Sequence, residues 1–322
     1  MTKDEVLRML KENGDYVSGQ KISEELNVSR MAVSKAVASL KNEGFNIDSK
    51  PHIGYKLKEN GYNYGYSQIM SYCDKGTSLK FFESLDSTNN YLKSVAQEYK
   101  ENKVCAIAKV QTGGRGRRGH SFSSEKGIYL SVLMHPHCAL SSLACLTAFA
   151  GVCVAEAIKE VTGVETQIKW VNDVLLDGKK ICGILTELSF EAESSQCEYA
   201  IIGIGINTDS RVFPEEIRDV AGTIEDITKK PVDKSRLAAE IIKKVFALEN
   251  ELKEKHDEYF KKYEKLCITL GKRIKVMCAE PYEASAVGLA EDCSLIVKKD
   301  SGKEEKISFG EVSVRGVLGY GK

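Results

Sequence analysis

The feature that most constrains the fold is an Asp-Gly pair inside the segment QIKWVNDVLLDGKKICGILTEL, residues 167–188. Asp177 and Gly178 separate two apolar stretches, and such a pair in that setting is the strongest short signal for a two-residue β-hairpin. The segment therefore predicts two adjacent antiparallel strands. Lys169, Asn172, Asp173 and Lys180 also lie in it, and polar groups inside a buried hairpin are costly unless they serve a site.

A third strand is predicted for AIIGIGIN, residues 200–207. Gly203 and Gly205 fall at period two, so one face of this strand lacks side chains. Such a face allows a flat ligand to lie against it, although close packing of neighbouring strands explains the same pattern. Helical patterns at 87–99, 140–160 and 234–265 accompany the strands. We therefore expect an α+β fold with a mainly antiparallel sheet.

The segment QTGGRGRRGHSF, residues 111–122, joins two strand-like runs at 103–110 and 127–134. Its glycines permit unusual backbone angles, and its three arginines offer forked donors suited to carboxylate and phosphate. It matches neither a Walker loop nor a Rossmann turn, since the required helix does not follow. The sequence therefore predicts a loop that closes over an anionic ligand. A solvated basic loop or a nucleic-acid contact are the alternatives.

The composition limits the broad class of the protein. The 322 residues favour two or three domains, and Lys plus Arg equals Asp plus Glu at 46 each. Any nucleic-acid or membrane surface must therefore be local. The run 141–158 contains small residues and a glutamate, which favours a buried helix over a membrane span. The N-terminus lacks the apolar core of a signal peptide, and the ten cysteines form no C-x-x-C pair, so we expect reduced thiols in a cytoplasmic protein.

The first sixty residues have the pattern of a winged helix-turn-helix. Ser29 is placed to cap a helix whose Val33, Val37 and Leu40 share one face and must point inward. The outer side carries polar residues that we assign to DNA contacts: Arg30, Ser34, Lys35 and Lys41. The segment 45–57 alternates at period two and is predicted to form a β-hairpin wing. A small helical module for protein contacts is the alternative.

Three motifs together carry a family resemblance. QTGGRGRRG, KWVNDVLLDGKKICGIL and GIGIN, in this order and behind a winged helix, resemble the biotin protein ligases, specifically the bifunctional form that is also the biotin operon repressor. The resemblance implies a winged helix-turn-helix domain at 1–62 and a catalytic domain at 63–268 whose antiparallel sheet with helices is like that of class II aminoacyl-tRNA synthetases. It also implies a small SH3-like β-barrel at 269–322, where several short strand-like segments lie between polar turns.

The resemblance further implies an activity. Members of the family form biotinyl-5'-AMP and pyrophosphate from biotin and ATP, and then pass biotin to one lysine of a biotin carboxyl carrier domain. Mg²⁺ would accompany ATP, operator DNA would be a second partner, the adenylate-bound protein would be a homodimer, and no membrane would be involved. A non-catalytic regulator that senses a small acid and a lipoate ligase are the alternatives.

Site residues follow from the matched motifs. The biotin-binding positions implied by the resemblance are Ser87, Thr88, Asn89, Gln111, Arg115, Gly116, Arg117 and Lys180. The positions close to the adenylate are Arg118, Asn172 and Asn207, to which we add Gly203 and Gly205. Lys180, Arg115 and Arg117 are the candidate catalytic residues, because they would meet the biotin carboxylate and the α-phosphate. Two departures from the family pattern affect ligand packing: Phe122 replaces a common Trp, and Val171 replaces a Pro.

Overall fold

A computed structural model of the chain describes residues 2–42, 45, 47–57, 64–99, 103–114, 116, 126–191, 196–278, 280–308 and 313–316. Three regions follow one another along the chain: a helical region with a hairpin, a large sheet covered by helices, and a smaller sheet. In the described part of the chain, no helix is both long enough and apolar enough to span a membrane.

The N-terminal region consists of three helices and a hairpin: α1 (Thr2–Asn13), α2 (Gly19–Glu25), α3 (Arg30–Asn42), β1 (Ile47–Lys50) and β2 (Gly54–Leu57). Asn27 has a φ of 50° in the turn between α2 and α3, and Ser29 Oγ accepts a hydrogen bond from the Ala32 amide at 3.1 Å. Val33, Val37 and Leu40 are buried in a core that is separate from that of the central region. The predicted helix-turn-helix and hairpin are therefore confirmed.

Gly54 allows the hairpin to pack closely against the segment before α2. Its φ is 132°, and a Cβ built on it would lie 2.1 Å from the Val17 carbonyl oxygen. Val17 and Tyr55 exchange two backbone hydrogen bonds at 2.9 Å, which attach the hairpin to the segment before α2. Only glycine fits at position 54, because every other residue adds that Cβ.

The central sheet has seven strands: β3 (Ser78–Leu85), β4 (Val104–Gln111), β5 (Ile128–Met134), β6 (Gln167–Lys169), β7 (Asp173–Leu176), β8 (Lys179–Phe190) and β9 (Cys197–Ile206). Their order across the sheet is β3-β4-β5-β9-β8-β7-β6. Asp177 and Gly178 both have positive φ, at 48° and 74°, and form the two-residue turn predicted between β7 and β8.

One pair of strands departs from the antiparallel expectation. β3 and β4 run parallel, and α5 (Thr88–Val95) with a short 3₁₀ turn (Ala96–Tyr99) crosses between them. A parallel pair needs such a crossover, because its strands cannot be joined by a tight turn. The central sheet is therefore mixed.

The remaining helices of the central region are α4 (Tyr66–Met70), α6 (Leu140–Ala144), α7 (Leu146–Thr162), α8 (Glu215–Arg218), α9 (Ile224–Thr228), α10 (Lys234–Glu254) and α11 (His256–Leu266). α7 lies on one face of the sheet, where a Cβ on Gly151 would meet the Ile184 side chain at 3.8 Å. α5 lies on the other face, where Asn89 approaches Gly203. Ile184 pairs with Ile204, the neighbour of Gly203, and successive residues of a strand point to opposite faces.

The C-terminal region is a five-stranded antiparallel sheet of β10 (Arg273–Met277), β11 (Tyr282–Leu289), β12 (Leu295–Lys298), β13 (Glu304–Ile307) and β14 (Ser313–Gly316), in the order β13-β12-β11-β10-β14. Its buried residues, including Ile274 and Leu295, belong to the same apolar core as the central region. Contacts between the N-terminal and central regions include polar ones, such as the 2.5 Å hydrogen bond from Lys11 Nζ to Ser71 Oγ.

Candidate functional site

The start of α5 forms one side of the candidate site. Ser87 Oγ caps the helix by accepting a hydrogen bond from the Asn90 amide. Thr88 and Asn89 follow it in the first turn and are nearly fully buried, although both are polar. Buried polar side chains require hydrogen-bond partners, and both residues have them.

Thr88 connects α5 to two strands of the sheet. Gln111 Oε1, at the end of β4, accepts hydrogen bonds from the Thr88 amide at 2.8 Å and from the Thr88 hydroxyl at 3.0 Å. The same hydroxyl lies 2.6 Å from Ser131 Oγ in β5. The Thr88 backbone amide can only donate, so it fixes the Gln111 side-chain amide with Oε1 toward α5.

Asn89 continues this network in the opposite direction. Its Oδ1 accepts a hydrogen bond from Ser131 Oγ at 2.5 Å, and its Nδ2 donates to Glu187 Oε2 in β8 at 2.7 Å. Glu187 Oε1 in turn accepts from Lys93 Nζ at 2.5 Å. The carboxylate only accepts, so it fixes Asn89 with Nδ2 toward β8 and Oδ1 toward Ser131 in β5.

Gly203 makes room for Asn89. A Cβ on Gly203 would lie 2.3 Å from Asn89 Oδ1, far inside contact distance. The missing side chain therefore has a demonstrated cause, which is the close approach of an asparagine from α5. This observation favours the packing explanation for Gly203, and it links the glycine to a residue of the predicted biotin site.

A row of four cross-strand partners, with two glycines at its centre, crosses the same face of the sheet. Tyr129 in β5 pairs with Gly205 in β9, Gly205 pairs with Gly183 in β8, and Gly183 pairs with Asp173 in β7. Two glycines at the centre of this row leave the sheet without side chains between Tyr129 and Asp173. The row lies next to the Ser131 and Gly203 pair, so it extends the candidate site from α5 toward the β7–β8 hairpin.

The β7–β8 hairpin supplies a cation on the far side. Lys180 Nζ lies 2.6 Å from Asp173 Oδ1, and the lysine side chain is 36% exposed. The Lys180 backbone is also fixed, because its amide donates to the Val220 carbonyl at 2.7 Å and its carbonyl accepts from the Gly222 amide at 3.0 Å. A partly exposed ammonium on a fixed backbone can offset negative charge on a bound phosphate or carboxylate.

Asn172 and Asn207 flank the hairpin. Asn172 Nδ2 donates to the Ile184 carbonyl at 3.0 Å, and the preceding Trp170–Val171 peptide bond is cis. Asn207 Oδ1, just after β9, accepts from Arg211 Nη2 at 2.6 Å. The Asn207 amide also donates to the Ile181 carbonyl of β8, so these two of the predicted adenylate residues lie beside the β7–β8 hairpin.

The arginine loop departs from the sheet beside α5. The Thr112 and Gly113 amides donate to the carbonyls of Leu85 and Asp86 at 2.9 and 2.8 Å. Gly116 is half-buried. Arg115, Arg117, Arg118 and Phe122 lie outside the described residues.

The predicted DNA surface is a separate region of the molecule. Arg30, Ser34, Lys35 and Lys41 are all exposed on α3, as the sequence predicted. Lys41 Nζ donates to Ser49 Oγ at 2.7 Å and so connects the helix to the hairpin. A basic helix side next to a hairpin is the arrangement that winged helix-turn-helix proteins present to DNA.

Sequence reasoning missed three side chains that complete the central site. Asp173 was noted only as a polar residue in the hairpin, and its ion pair with Lys180 was not foreseen. Ser131 gave a weak signal as a serine inside the apolar strand IYLSVLM. Glu187 gave none, because its partner Asn89 is 98 positions away.

Comparison with known proteins assigns the three regions. The biotin/lipoate A/B protein ligase family matches residues 81–207, an HTH domain matches 2–56, and the biotin protein ligase C terminal domain matches 269–315. The bifunctional ligase/repressor BirA of Bacillus subtilis is 32% identical over 254 residues, which cover 75% of this chain and 76% of that protein.

Two further relatives extend the comparison. The bifunctional ligase/repressor BirA of Escherichia coli is 29% identical over 308 residues, or 94% of each chain. The structure of biotin protein ligase from Aquifex aeolicus in complex with biotin and ATP has a TM-score of 0.64 at 33% identity, and the match covers 74% of this chain and 99% of that one. The chain belongs to the biotin protein ligase family.

Proposed function

We propose that the protein is a biotin protein ligase that also represses transcription of biotin genes. The observation that carries the proposal is the family membership, which extends over the helix-turn-helix, the central sheet and the C-terminal sheet. The enzyme joins biotin to AMP and then transfers biotin to a lysine of a biotin carboxyl carrier domain. A lipoate ligase and a non-catalytic acid sensor are less favoured, because the relatives named above are biotin ligases.

In the first step a biotin carboxylate oxygen bonds to the α-phosphorus of ATP, and the bond from that phosphorus to pyrophosphate breaks. Negative charge increases on the phosphoryl oxygens as this occurs. Lys180 is the described residue best placed to offset it, since Asp173 and the backbone of 220–222 hold it at the open face. We assign Arg115 and Arg117 to the same role on the arginine loop.

In the second step the carrier lysine attacks the acyl carbon of biotinyl-5'-AMP, and AMP departs. The mixed anhydride is already reactive, so positioning is the main requirement. No covalent intermediate with the enzyme is needed. The carrier domain must therefore reach the open face of the sheet.

Biotin is proposed to lie on the α5 side of that face. Its contacts are assigned to the start of α5, the end of β4 and the arginine loop, namely Ser87, Thr88, Asn89, Gln111, Arg115, Gly116 and Arg117. Lys180 of the β7–β8 hairpin is assigned to the carboxylate end of biotin, next to the α-phosphate. The fixed hydrogen-bond directions of Thr88, Asn89 and Gln111 support this assignment, because a prearranged set of donors and acceptors selects one ligand orientation.

The adenylate is proposed to lie toward the hairpin, near Arg118, Asn172, Asn207 and Gly205. Gly203, which the sequence pattern also suggested for this role, instead packs against Asn89 on the α5 side. Asn172 and Asn207 both lie at this end of the site, and Gly205 belongs to the open row of the sheet. Mg²⁺ is expected to enter with ATP, because it prefers phosphate oxygens and water as ligands.

Repression is assigned to the N-terminal domain. Arg30, Ser34, Lys35 and Lys41 would contact operator DNA, with the β1–β2 hairpin as the wing. We propose domain limits of 1–62, 63–268 and 269–322, within which the three family matches fall. We further propose a class II synthetase-like central domain, an SH3-like C-terminal barrel, a homodimer in the adenylate-bound state and a cytoplasmic location without membrane partners.

The first test is exchange of labelled pyrophosphate into ATP by the purified protein, with biotin and with lipoate in parallel. Exchange that depends on biotin supports the proposal, and transfer to a carrier domain completes it. Exchange with lipoate only would show a lipoate ligase, and no exchange with either acid would favour the sensor.

The second test separates the two functions. Arg30→Ala should weaken operator binding about tenfold, which corresponds to about 1.4 kcal/mol and to one lost phosphate or base contact. Pyrophosphate exchange should stay unchanged, because α3 and the central site belong to separate cores. Equal operator binding by the variant and the wild type would contradict the DNA assignment.

A further inference from the structure

The N-terminal domain leaves two large apolar side chains in solvent. Met31 is 71% exposed and Ile53 is 52% exposed, whereas every other large apolar residue described between positions 2 and 57 is at least half-buried. A single exposed apolar residue carries little information on its own, so the positions of these two decide what they mean. Met31 lies in the first turn of α3 and Ile53 in the turn of the β1–β2 hairpin, the two elements that a winged helix-turn-helix presents to DNA.

The direction of the Met31 side chain follows from the buried face of α3. Val33 and Val37 point into the domain core, and Met31 lies on the opposite side of the helix. Ser34 and Lys35 follow Met31 by three and four residues, so they are its neighbours on the helix surface, and both are exposed. Met31 therefore shares the outer face of α3 with the predicted DNA contacts.

The charges around Met31 suit the backbone of a duplex. Arg30, Lys35 and Lys41 are exposed on α3, and the helix contains no aspartate or glutamate. Such cations fix the position of a protein on DNA through phosphate contacts, which carry no direct sequence information. Methionine has no hydrogen-bond donor for a phosphate oxygen. Within this cationic face, the favourable partner of Met31 is therefore an apolar group of the DNA.

The major groove offers one such group to a side chain, the 5-methyl group of thymine. The residues at the N-terminal end of a recognition helix are those that reach the base edges, and Met31 is the second residue of α3. Its unbranched, flexible side chain adapts to the shape of an apolar partner. Contact with the methyl group would remove apolar surface of both partners from water, which is favourable, whereas the other three bases present polar edges in this groove.

We propose that Met31 is a base-reading residue, which selects thymine by packing against its 5-methyl group in the major groove. The inference rests on the operator binding proposed above and adds the type of base that the first turn of α3 reads. The exposed cations of α3 hold the duplex in place, and Met31 supplies part of the selectivity among sequences.

The first experiment finds the base pair in question. The full-length protein, with biotin, ATP and Mg²⁺, selects binding sites from a library of random duplexes, and Met31→Ala is treated in parallel. The wild type should enrich a thymine at one position where the variant shows no preference. Both proteins should bind a duplex outside the selected set equally well, which shows that the domain of the variant is folded.

The second experiment removes only the methyl group. Uracil replaces thymine at that position of a duplex selected by the wild type, since the two bases differ in nothing else. Affinity of the wild type should fall about fourfold, which is the effect of one buried methyl group. Met31→Ala should bind the thymine and uracil duplexes equally.

Ile53→Ala is the matched control, because it truncates the other exposed apolar residue of the same domain. Ile53 belongs to the hairpin and not to α3, so this variant should keep the difference between thymine and uracil. Lys41→Ala should weaken binding to all duplexes by a similar factor, as expected for loss of a phosphate contact.

Three results would overturn the proposal. If Met31→Ala selects the same base pairs as the wild type, or if both lose the same affinity with uracil, Met31 does not read thymine, although operator binding stands. If the position that depends on Met31 prefers a base other than thymine, the assigned partner is wrong. If the wild type enriches no duplex at all, operator binding itself fails, and the reading of thymine fails with it.

Discussion

The two sides of the central site are built in different ways. On the α5 side, Thr88, Asn89 and Ser131 are buried and their hydrogen bonds interlock with Gln111 and Glu187. On the hairpin side, Lys180 is partly exposed and its ammonium has one described carboxylate neighbour. A buried network cannot rearrange cheaply, whereas a surface ion pair can exchange its partner.

This difference suggests a division of work. A rigid set of donors and acceptors suits recognition of one uncharged ligand surface, because each misplaced polar group would remain unsatisfied. A lysine that can leave Asp173 for a phosphate suits a step in which negative charge develops. The α5 side should therefore control biotin binding, and the hairpin side should control the rate of adenylation.

Lys180→Ala should have the largest effect and should act on rate. Loss of one prearranged donor to a developing charge lowers kcat by about 10² to 10³. Pyrophosphate exchange measured across biotin concentrations should show that fall, with a smaller change in the KM for biotin. Lys179→Ala is the matched control, because the Lys179 ammonium contacts the Asp219 carbonyl instead. A large rise in the KM for biotin with normal kcat would show that Lys180 serves biotin binding and not the rate of adenylation.

Gly203→Ala should have the next largest effect and should act on binding. The new Cβ displaces the Asn89 amide, since the two would otherwise be 2.3 Å apart. Loss of one or two hydrogen bonds predicts a rise of about tenfold or more in the KM for biotin. Gly65→Ala is the control, because a Cβ there meets no atom within 4 Å. An unchanged KM for biotin in Gly203→Ala would remove Asn89 from the biotin site.

Asp173→Asn should reduce kcat about tenfold, less than loss of the lysine itself. The amide keeps the size of the side chain but loses the charge that holds Lys180 Nζ at 2.6 Å. The ammonium remains available to a phosphate, so positioning suffers while the charge persists. Stopped-flow measurement of adenylate formation checks this, and a loss equal to that of Lys180→Ala would give Asp173 a direct role.

Lys93→Met should have the smallest effect. Lys93 and Glu187 are partly exposed, and such ion pairs contribute about 0.2–1 kcal/mol. We therefore expect a change of no more than about fivefold in the Kd for biotin. Isothermal titration with biotin measures it directly. A change as large as that of Gly203→Ala would show that the Lys93–Glu187 ion pair at the surface controls the position of Asn89.

The sequence predicted those features that depend on neighbouring residues. The Asp177–Gly178 turn, the inward face of α3 and the Ser29 cap each follow from local spacing and were confirmed. The family motifs also pointed to Thr88, Asn89, Gln111 and Lys180, and the structure places the first three in one network.

Features that depend on distant residues were not accessible in this way. The parallel pairing of β3 with β4 arises because α5 packs across the sheet, which no local pattern in either strand reveals. The partnership of Asn89 with Glu187 joins segments 98 positions apart. The need for glycine at position 203 likewise depends on the packing of Asn89 from α5 against β9, which the sequence of neither segment contains.

A side-by-side measurement of biotin-dependent pyrophosphate exchange by Lys180→Ala and Gly203→Ala tests the division of the site most directly. We expect the lysine variant to lose mainly kcat and the glycine variant to lose mainly affinity for biotin. Equal changes of the same kinetic parameter in both variants would contradict the division between a recognition side on α5 and a charge-stabilising side on the β7–β8 hairpin.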